Sequence, residues 1–165
     1  MLQSEQLLCI SLFFFVIRLS FCTLMLYDPV LEGSCPTGWT RHHRSCYKAF
    51  NEKIFWHAAK ARCRQHGGSL IAINDADEFN FIRSMTSQLT GDYAVWIGLR
   101  RDSAGVFSRW DNGEPLTFTQ WTRNEPNNLL GDEDCVEMFR YSGGWLDTTC
   151  TGIYARTHQI GRAHV

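Results

Sequence analysis

The chain has 165 residues, of which 20% are charged and 13% are aromatic. This length suits one domain with a buried core, and the composition is that of an ordinary globular protein, which excludes an intrinsically disordered chain. The formal net charge is -1 and the basic residues are scattered along the chain, which excludes a nucleic-acid-binding surface.

The N-terminal segment is strongly apolar. Residues 7–26 contain one charged residue, Arg18, and are otherwise mostly hydrophobic. This pattern predicts a signal peptide over residues 1–22, with cleavage near Cys22, and therefore a secreted protein. The alternative is a signal anchor over residues 7–26, which is just long enough to span a bilayer and would make the chain a type II membrane protein. We expect contact with a membrane only in that second case.

Five cysteines follow this segment: Cys35, Cys46, Cys63, Cys135 and Cys150. In an oxidising compartment such cysteines predict disulfide bonds rather than metal ligands or nucleophiles. Because five is an odd number, one of them lacks a partner. Cys63 lies three residues before His66, but no third group completes a catalytic arrangement, so we expect no enzymatic activity.

The predicted elements begin after a short linker over residues 23–34. Cys35–Trp39 and Ser45–Tyr47 predict the two arms of a β-hairpin, with the polar residues 41–44 at its turn. A bond between the first two of the five cysteines would close this hairpin.

Two helices are predicted next. Apolar residues recur at helical spacing over Phe55–His66, and the following Gly67 ends that helix. The second helix begins at Asp75, with Glu78 in the position of a capping box, and ends before Gly91.

The second half of the chain predicts short strands and one long irregular region. Val95–Leu99, Val106–Phe107 and Cys135–Phe139 have the composition of strands. Residues 100–134 contain few periodic elements, and a loop of this length in a compact domain is usually functional. Four tryptophans are interpreted as packing residues of the core and the loop: Trp96, Trp110, Trp121 and Trp145.

An acidic cluster lies at the end of this loop. Five oxygen-bearing side chains fall within ten residues that contain no lysine or arginine: Glu125, Asn127, Asp132, Glu133 and Asp134. Closely spaced carboxylates repel one another, and Ca²⁺ takes six to eight oxygen ligands, so the cluster predicts a calcium site. The alternative is a solvated acidic loop. The six histidines show no spacing typical of a zinc site, and we expect each of them at the surface.

Six features occur in a recognisable order: the pair Cys35 and Cys46, the two helices, and the motifs WIGL (96–99), EPN (125–127), EDC (133–135) and WLDTTC (145–150). This order resembles a C-type lectin domain of the long form over residues 35–158. The resemblance implies an α+β fold in which two helices flank small antiparallel sheets and a long loop region binds Ca²⁺.

The resemblance also implies a disulfide pattern. Two bonds are expected, Cys35–Cys46 and Cys135–Cys150. Cys63 would pair with a cysteine near the C-terminus, at about His158 or Gln159, but that cysteine is absent. Residues 160–165, IGRAHV, look like a translated sequencing adaptor, so we expect a non-native tail on a truncated chain. Without its partner for Cys63, such a chain would lose about 2 to 5 kcal/mol of stability.

The site residues follow from the same resemblance. It implies that Ca²⁺ is bound by Glu125, Asn127, Glu133 and Asp147, and that a sugar is bound through the ion by Glu125, Asn127 and Glu133. In mannose-type members the proline of the EPN motif is in the cis form. The order of acid before amide is the pattern for mannose, glucose, N-acetylglucosamine and fucose, whereas Gln-Pro-Asp is the galactose pattern.

We therefore predict calcium-dependent binding of mannose-type glycans on microbial or cell surfaces, in innate immune recognition. Single sites of this kind bind sugars weakly, so we expect useful avidity to come from oligomerisation or clustering.

One departure from the family pattern favours an alternative. Leu146 stands where the family has an asparagine, which removes one oxygen ligand and adds apolar surface. The alternative function is that of a calcium-independent lectin-like domain that binds a protein or another non-sugar ligand. A second calcium site is not expected, because Arg101, Asp102 and Asn128 match its ligand pattern poorly.

Overall fold

A computed structural model of the protein describes residues 34–90, 93–151 and 157–164. The predicted signal peptide over residues 1–22, and the alternative anchor over residues 7–26, lie outside these ranges. Within them, no helix combines the length and the hydrophobicity that a membrane crossing requires.

Among the described residues, two α-helices and seven strands alternate irregularly. Their bounds are β1 Thr40–His42, β2 Ser45–Ile54, α1 Trp56–Gln65, β3 Ser69–Leu70, α2 Ala76–Ser87, β4 Ala94–Arg100, β5 Cys135–Phe139, β6 Trp145–Thr148 and β7 Thr157–His164. The strands form one sheet in the order β1-β2-β7-β4-β5-β6, and β3 pairs with β7. The pair β4–β7 is parallel and the other pairs are antiparallel. The predicted α+β class is confirmed.

The predicted helices are both present, within a few residues of their expected ends. The Asp75 side chain accepts a hydrogen bond from the backbone N–H of Glu78 (2.8 Å), which caps the first turn of α2. Phe79 and Ile82 of α2 are buried in the core. After α1, Gly67 has a φ of +75°, a conformation that a glycine adopts without strain.

Tryptophans hold the core together, as the sequence predicts. Trp56 and Trp96 are fully buried and donate their indole N–H groups to the carbonyls of Ile97 and Ile54, both at 2.9 Å. Their indole nitrogens are thus satisfied while the rings remove apolar surface from water, which stabilises the fold by roughly 1.5 to 3 kcal/mol per large side chain.

The disulfide prediction is confirmed for the two bonds that the chain can form, Cys35–Cys46 and Cys135–Cys150. Cys63 is buried and unpaired among the described cysteines. A Cβ atom built on Gly161 would lie 3.3 Å from its sulfur. Gly161 of β7 therefore lies next to Cys63, and the place of the missing family cysteine, at about His158 or Gln159, stays a prediction.

Three further details differ from the predictions. The first arm of the hairpin is β1 and not Cys35–Trp39, because a turn intervenes in which the Trp39 N–H bonds the Pro36 carbonyl (3.0 Å). Val106–Phe107 is irregular and forms no strand. Strands β3, β6 and β7 were not predicted, and β7 contains residues 160–164 of the segment that we interpret as a non-native tail. That interpretation concerns the origin of the segment and stays a prediction.

Candidate functional site

The long loop is anchored on β6. The Trp145 N–H bonds the Gln120 carbonyl and the Thr122 N–H bonds the Trp145 carbonyl, both at 2.8 Å, so that residues 120–122 run alongside β6. Trp121 and Trp110 pack edge-on against the buried Trp145 ring. This attachment places the EPN motif, which follows immediately, next to the strand residue Asp147.

Asp147 lies at the centre of the site. Its side chain is buried, and its two oxygens accept hydrogen bonds from the backbone N–H groups of Asn127 and Asn128, both at 2.9 Å. A residue of the sheet therefore fixes the backbone of the loop directly after the EPN proline.

Glu125 and Asn127 face each other across that proline. The Glu125–Pro126 peptide bond is cis, and the Asn127 amide donates to Glu125 Oε1 at 2.8 Å. The other oxygen of Glu125, Oε2, is shielded from solvent and, when Glu125 is ionised, accepts no hydrogen bond from any residue within the described ranges. A buried carboxylate oxygen without a partner is costly, so this atom is available to a ligand.

Glu133 joins the same network through Leu129. The Leu129 N–H is shared between Glu133 Oε2 (2.6 Å) and Asn127 Oδ1 (2.8 Å). The Asn128 side chain in turn accepts from the Glu133 N–H at 3.1 Å. The structure thus assembles all four predicted metal ligands, Glu125, Asn127, Glu133 and Asp147, into one hydrogen-bonded cluster.

The carboxylates of this cluster are crowded. Burial, followed by the neighbouring Asp147 carboxylate, raises the pKa of Glu125 to about 7. The pKa of Glu133 is also raised, chiefly by burial. Burial acts in the same direction on Asp147, but hydrogen bonds from Glu125, from two backbone N–H groups and from Arg101 outweigh it and lower the pKa of Asp147. In the absence of a cation, the proton that this group of acids retains therefore resides on Glu125.

Arg101 is part of the cluster, and the sequence did not indicate this role. Its Nη2 donates to Asp147 Oδ2 at 2.5 Å, and its Nε donates to the Glu133 carbonyl at 3.0 Å. The guanidinium also lies over the Phe107 ring, 4.3 Å from the ring centroid. Within this network of described residues, three carboxylates and one guanidinium leave two uncompensated negative charges once Glu125 is ionised, which equals the charge of a divalent cation.

The donors present suit Ca²⁺. They are carboxylate and amide oxygens, one of which has no protein partner, and hard oxygen donors of this kind are the ligands that Ca²⁺ prefers. Leu146 is half-buried in β6 and contributes no side-chain oxygen. Asp102 is engaged in its own loop, since it accepts hydrogen bonds from the N–H groups of Ala104 and Val106.

Comparison with known proteins points to one family. A profile of the lectin C-type domain matches residues 52–155. The C-type lectin lectoxin-Lio3 of Erythrolamprus poecilogyrus is 36% identical over 121 residues, which is 71% of this chain and 75% of that protein.

Two solved structures share the fold. The carbohydrate-recognition domain of cow CD23, crystallised in the presence of a GlcNAc2Man3 oligosaccharide, is 28% identical with a TM-score of 0.71, over 81% of this chain and 98% of that one. A calcium-independent type II antifreeze protein is 28% identical with a TM-score of 0.69, over 79% of this chain and 95% of that one.

Proposed function

The chain belongs to the C-type lectin domain family, and from this premise we propose that it binds carbohydrate through a Ca²⁺ ion held by Glu125, Asn127, Glu133 and Asp147. C-type lectin domains form a carbohydrate-binding family and are not enzymes, which confirms the prediction that the chain has no catalytic activity.

One observation carries the proposal. When Glu125 is ionised, its Oε2 atom is buried without a hydrogen-bond donor inside a described cluster whose carboxylates exceed its guanidinium by two charges. A bound Ca²⁺ would neutralise these charges and would leave coordination positions open for two neighbouring hydroxyl groups of a sugar. A solvated acidic loop, the alternative reading of the sequence, does not account for a carboxylate oxygen that water cannot reach.

The chain's own groups would then orient the sugar. Glu125 and Glu133 offer carboxylate oxygens that accept hydrogen bonds from sugar hydroxyls, and the Asn127 amide offers a donor. The acid precedes the amide in the motif, which supports the mannose, N-acetylglucosamine and fucose class over the galactose class. Glycans of that class on microbial or cell surfaces are the proposed partners, and secretion with a role in innate immune recognition is the proposed setting.

The experiment that tests this function is affinity retention of the purified chain on mannose-agarose. We expect retention in millimolar calcium, release by a chelator or by free mannose, and little release by free galactose. Glu125→Gln removes one charge at the site and should abolish retention. Glu52→Gln is the matched control, because Glu52 pairs with Arg62 on the surface (2.5 Å) and should leave retention intact. Chain that is retained equally well in chelator would contradict the proposal.

A specific observation favours a second candidate, a calcium-independent lectin-like domain that binds a non-sugar ligand. Arg101 already supplies a positive charge to Asp147 at 2.5 Å. Leu146 contributes no side-chain oxygen to Ca²⁺, whereas the asparagine of the family pattern would contribute one. A calcium-independent neighbour shares the fold at 28% identity. Absence of any calorimetric heat on addition of calcium, together with a folded chain, would select this candidate.

A further inference from the structure

Two histidines and one aspartate meet at a place remote from the sugar site in sequence. His42 ends β1, His43 opens the hairpin turn, and Asp77 lies in the first turn of α2. The Nε2 atoms of His42 and His43 lie 2.9 and 2.7 Å from the same oxygen, Asp77 Oδ2. The three donor atoms are all within 4.8 Å of one another.

Packing fixes the ring of His42 in this position. The ring stacks on Phe81 at 4.3 Å between centroids with an interplanar angle of 5°, and it meets Tyr47 edge-on at 6.2 Å. Its side chain is only 19% exposed, although the sequence predicted a surface histidine. The neighbouring His43 is 73% exposed, and Arg41 fixes its backbone by donating to the His43 carbonyl at 3.0 Å.

The buried nitrogen of His42 is chemically unsatisfied. Nε2 is shielded from solvent, and despite its short distance to Asp77 it makes no hydrogen bond of acceptable geometry with any residue that the structure describes. The carboxylate oxygen is instead hydrogen-bonded by His43. Two imidazole nitrogens and one carboxylate oxygen, all potential metal ligands, thus converge on one point.

We propose that His42, His43 and Asp77 form a zinc-binding site. Two imidazole nitrogens and one carboxylate oxygen are donors that Zn²⁺ prefers, and three protein ligands leave the fourth tetrahedral position to water. Nitrogen donors do not suit Ca²⁺, so this site and the sugar site take different ions. The inference therefore does not depend on the proposed lectin activity.

Zinc requires only a small adjustment of the present geometry. Two ligands that each lie about 2.1 Å from a tetrahedral ion are roughly 3.4 Å apart, somewhat more than the 2.7 and 2.9 Å observed here. The side chains of His43 and Asp77 are 73% and 67% exposed, so both have room to move outward while the buried His42 stays in place. Each histidine binds through the Nε2 lone pair and keeps its proton on Nδ1, so any Nε2 proton is released to solvent on binding.

The ion would add a link between two elements that already meet where His42 stacks on Phe81. The β1–β2 turn would be joined to the start of α2, across 34 residues of sequence between His43 and Asp77. Because an ion that binds the folded state and not the unfolded chain stabilises the fold, zinc should raise the melting temperature.

The test is calorimetric titration of zinc chloride into the metal-free chain, followed by thermal melting. We expect one zinc ion per chain at micromolar affinity. His43→Asn removes the imidazole, and asparagine tolerates the positive φ of 51° at this position. Asp77→Asn removes the charge at nearly constant shape. Each should weaken zinc binding by about 100-fold, since loss of even an outer partner of a ligand typically costs about 10- to 100-fold. Both should abolish the thermal shift.

His57→Asn is the matched control, because His57 is exposed on α1 and lies outside the cluster. His42→Phe preserves the ring stacked on Phe81 and removes only the nitrogens, so its loss of zinc binding would come without loss of the fold. Wild-type zinc affinity in His43→Asn or Asp77→Asn would overturn the proposal. So would zinc binding that Glu125→Gln removes, because the ion would then occupy the carboxylate cluster.

Discussion

Arg101 donates its Nη2 to Asp147 Oδ2 at 2.5 Å, inside the cluster that we propose as the calcium site. This contact has two opposing effects on calcium affinity. The guanidinium compensates part of the negative charge that would attract Ca²⁺, and it also holds the Glu133 carbonyl at 3.0 Å and so maintains the shape of the loop. Calcium affinity in this protein should therefore respond to Arg101.

Arg101→Gln should tighten calcium binding by roughly tenfold. Two unit charges about 4 Å apart interact by about 4 kcal/mol at an effective dielectric constant of about 20, and the lost hydrogen bonds offset part of that gain. Calcium titration by calorimetry measures the change. Arg109→Gln is the control, since Arg109 is exposed and bonds the Gly113 carbonyl. Weaker calcium binding in Arg101→Gln would mean that its positioning of the loop outweighs its charge.

Leu146→Asn should tighten both calcium and mannose binding, each by roughly tenfold. The substitution restores a side-chain oxygen next to Asp147, and each further ligand strengthens a Ca²⁺ site that is near its lower limit of six. Leu146→Ala separates the added oxygen from the lost apolar surface. Equal affinities in all three proteins would show that position 146 does not reach the ion.

Gly161→Cys should form a disulfide bond with Cys63 and raise the melting temperature. A Cβ atom at position 161 would lie 3.3 Å from the Cys63 sulfur, and in a disulfide a Cβ atom lies about 3 Å from the partner sulfur. A bond that closes so long a loop contributes about 2 to 4 kcal/mol. Thiol counting under denaturing conditions reports the bond. Gly161→Ser is the control, because it introduces the same crowding against Phe50, 3.1 Å away, without a bond.

Cys63 should resist alkylation in the folded protein. Burial, followed by the negative charge of Asp111, raises the pKa of the Cys63 thiol from 9.0 to about 12. At pH 8 iodoacetamide should label it rapidly in urea and slowly under native conditions. The stability conferred by this thiol is fully present below pH 9 and is lost as the pH rises towards 12, because the unfolded thiol ionises first. Rapid native labelling would indicate that the core around Cys63 opens.

Local signals predicted the helices well. Asp75 caps α2 by accepting a hydrogen bond from Glu78, only three residues further along the chain. The apolar residues of α2 recur at helical spacing, which is visible in the sequence. Strands β3 and β7 were missed for the opposite reason. Each has an ordinary composition, and each is fixed by pairing with residues far away, as in Leu70 opposite Gly161.

At the sugar site too, residues in local motifs were predicted from the sequence, and a residue brought there by a tertiary contact was not. The four proposed ligands, Glu125, Asn127, Glu133 and Asp147, were identified because their motifs are compact and ordered. Arg101 was recognised only as a poor match to another site, since its bond to Asp147 spans 46 residues. The meeting of His43 with Asp77 was hidden likewise, because tertiary packing creates it.

Strand β7 lies in the interior of the sheet, between β2 and β4, yet it is the most C-terminal strand described. During synthesis, β2 and β4 therefore leave the ribosome well before β7, the strand that pairs with both of them. Until β7 emerges, β2 and β4 each expose one unpaired backbone edge, and their native pairing has to wait for it. The high contact order that results predicts slow folding and dependence on chaperones while the nascent edges remain open.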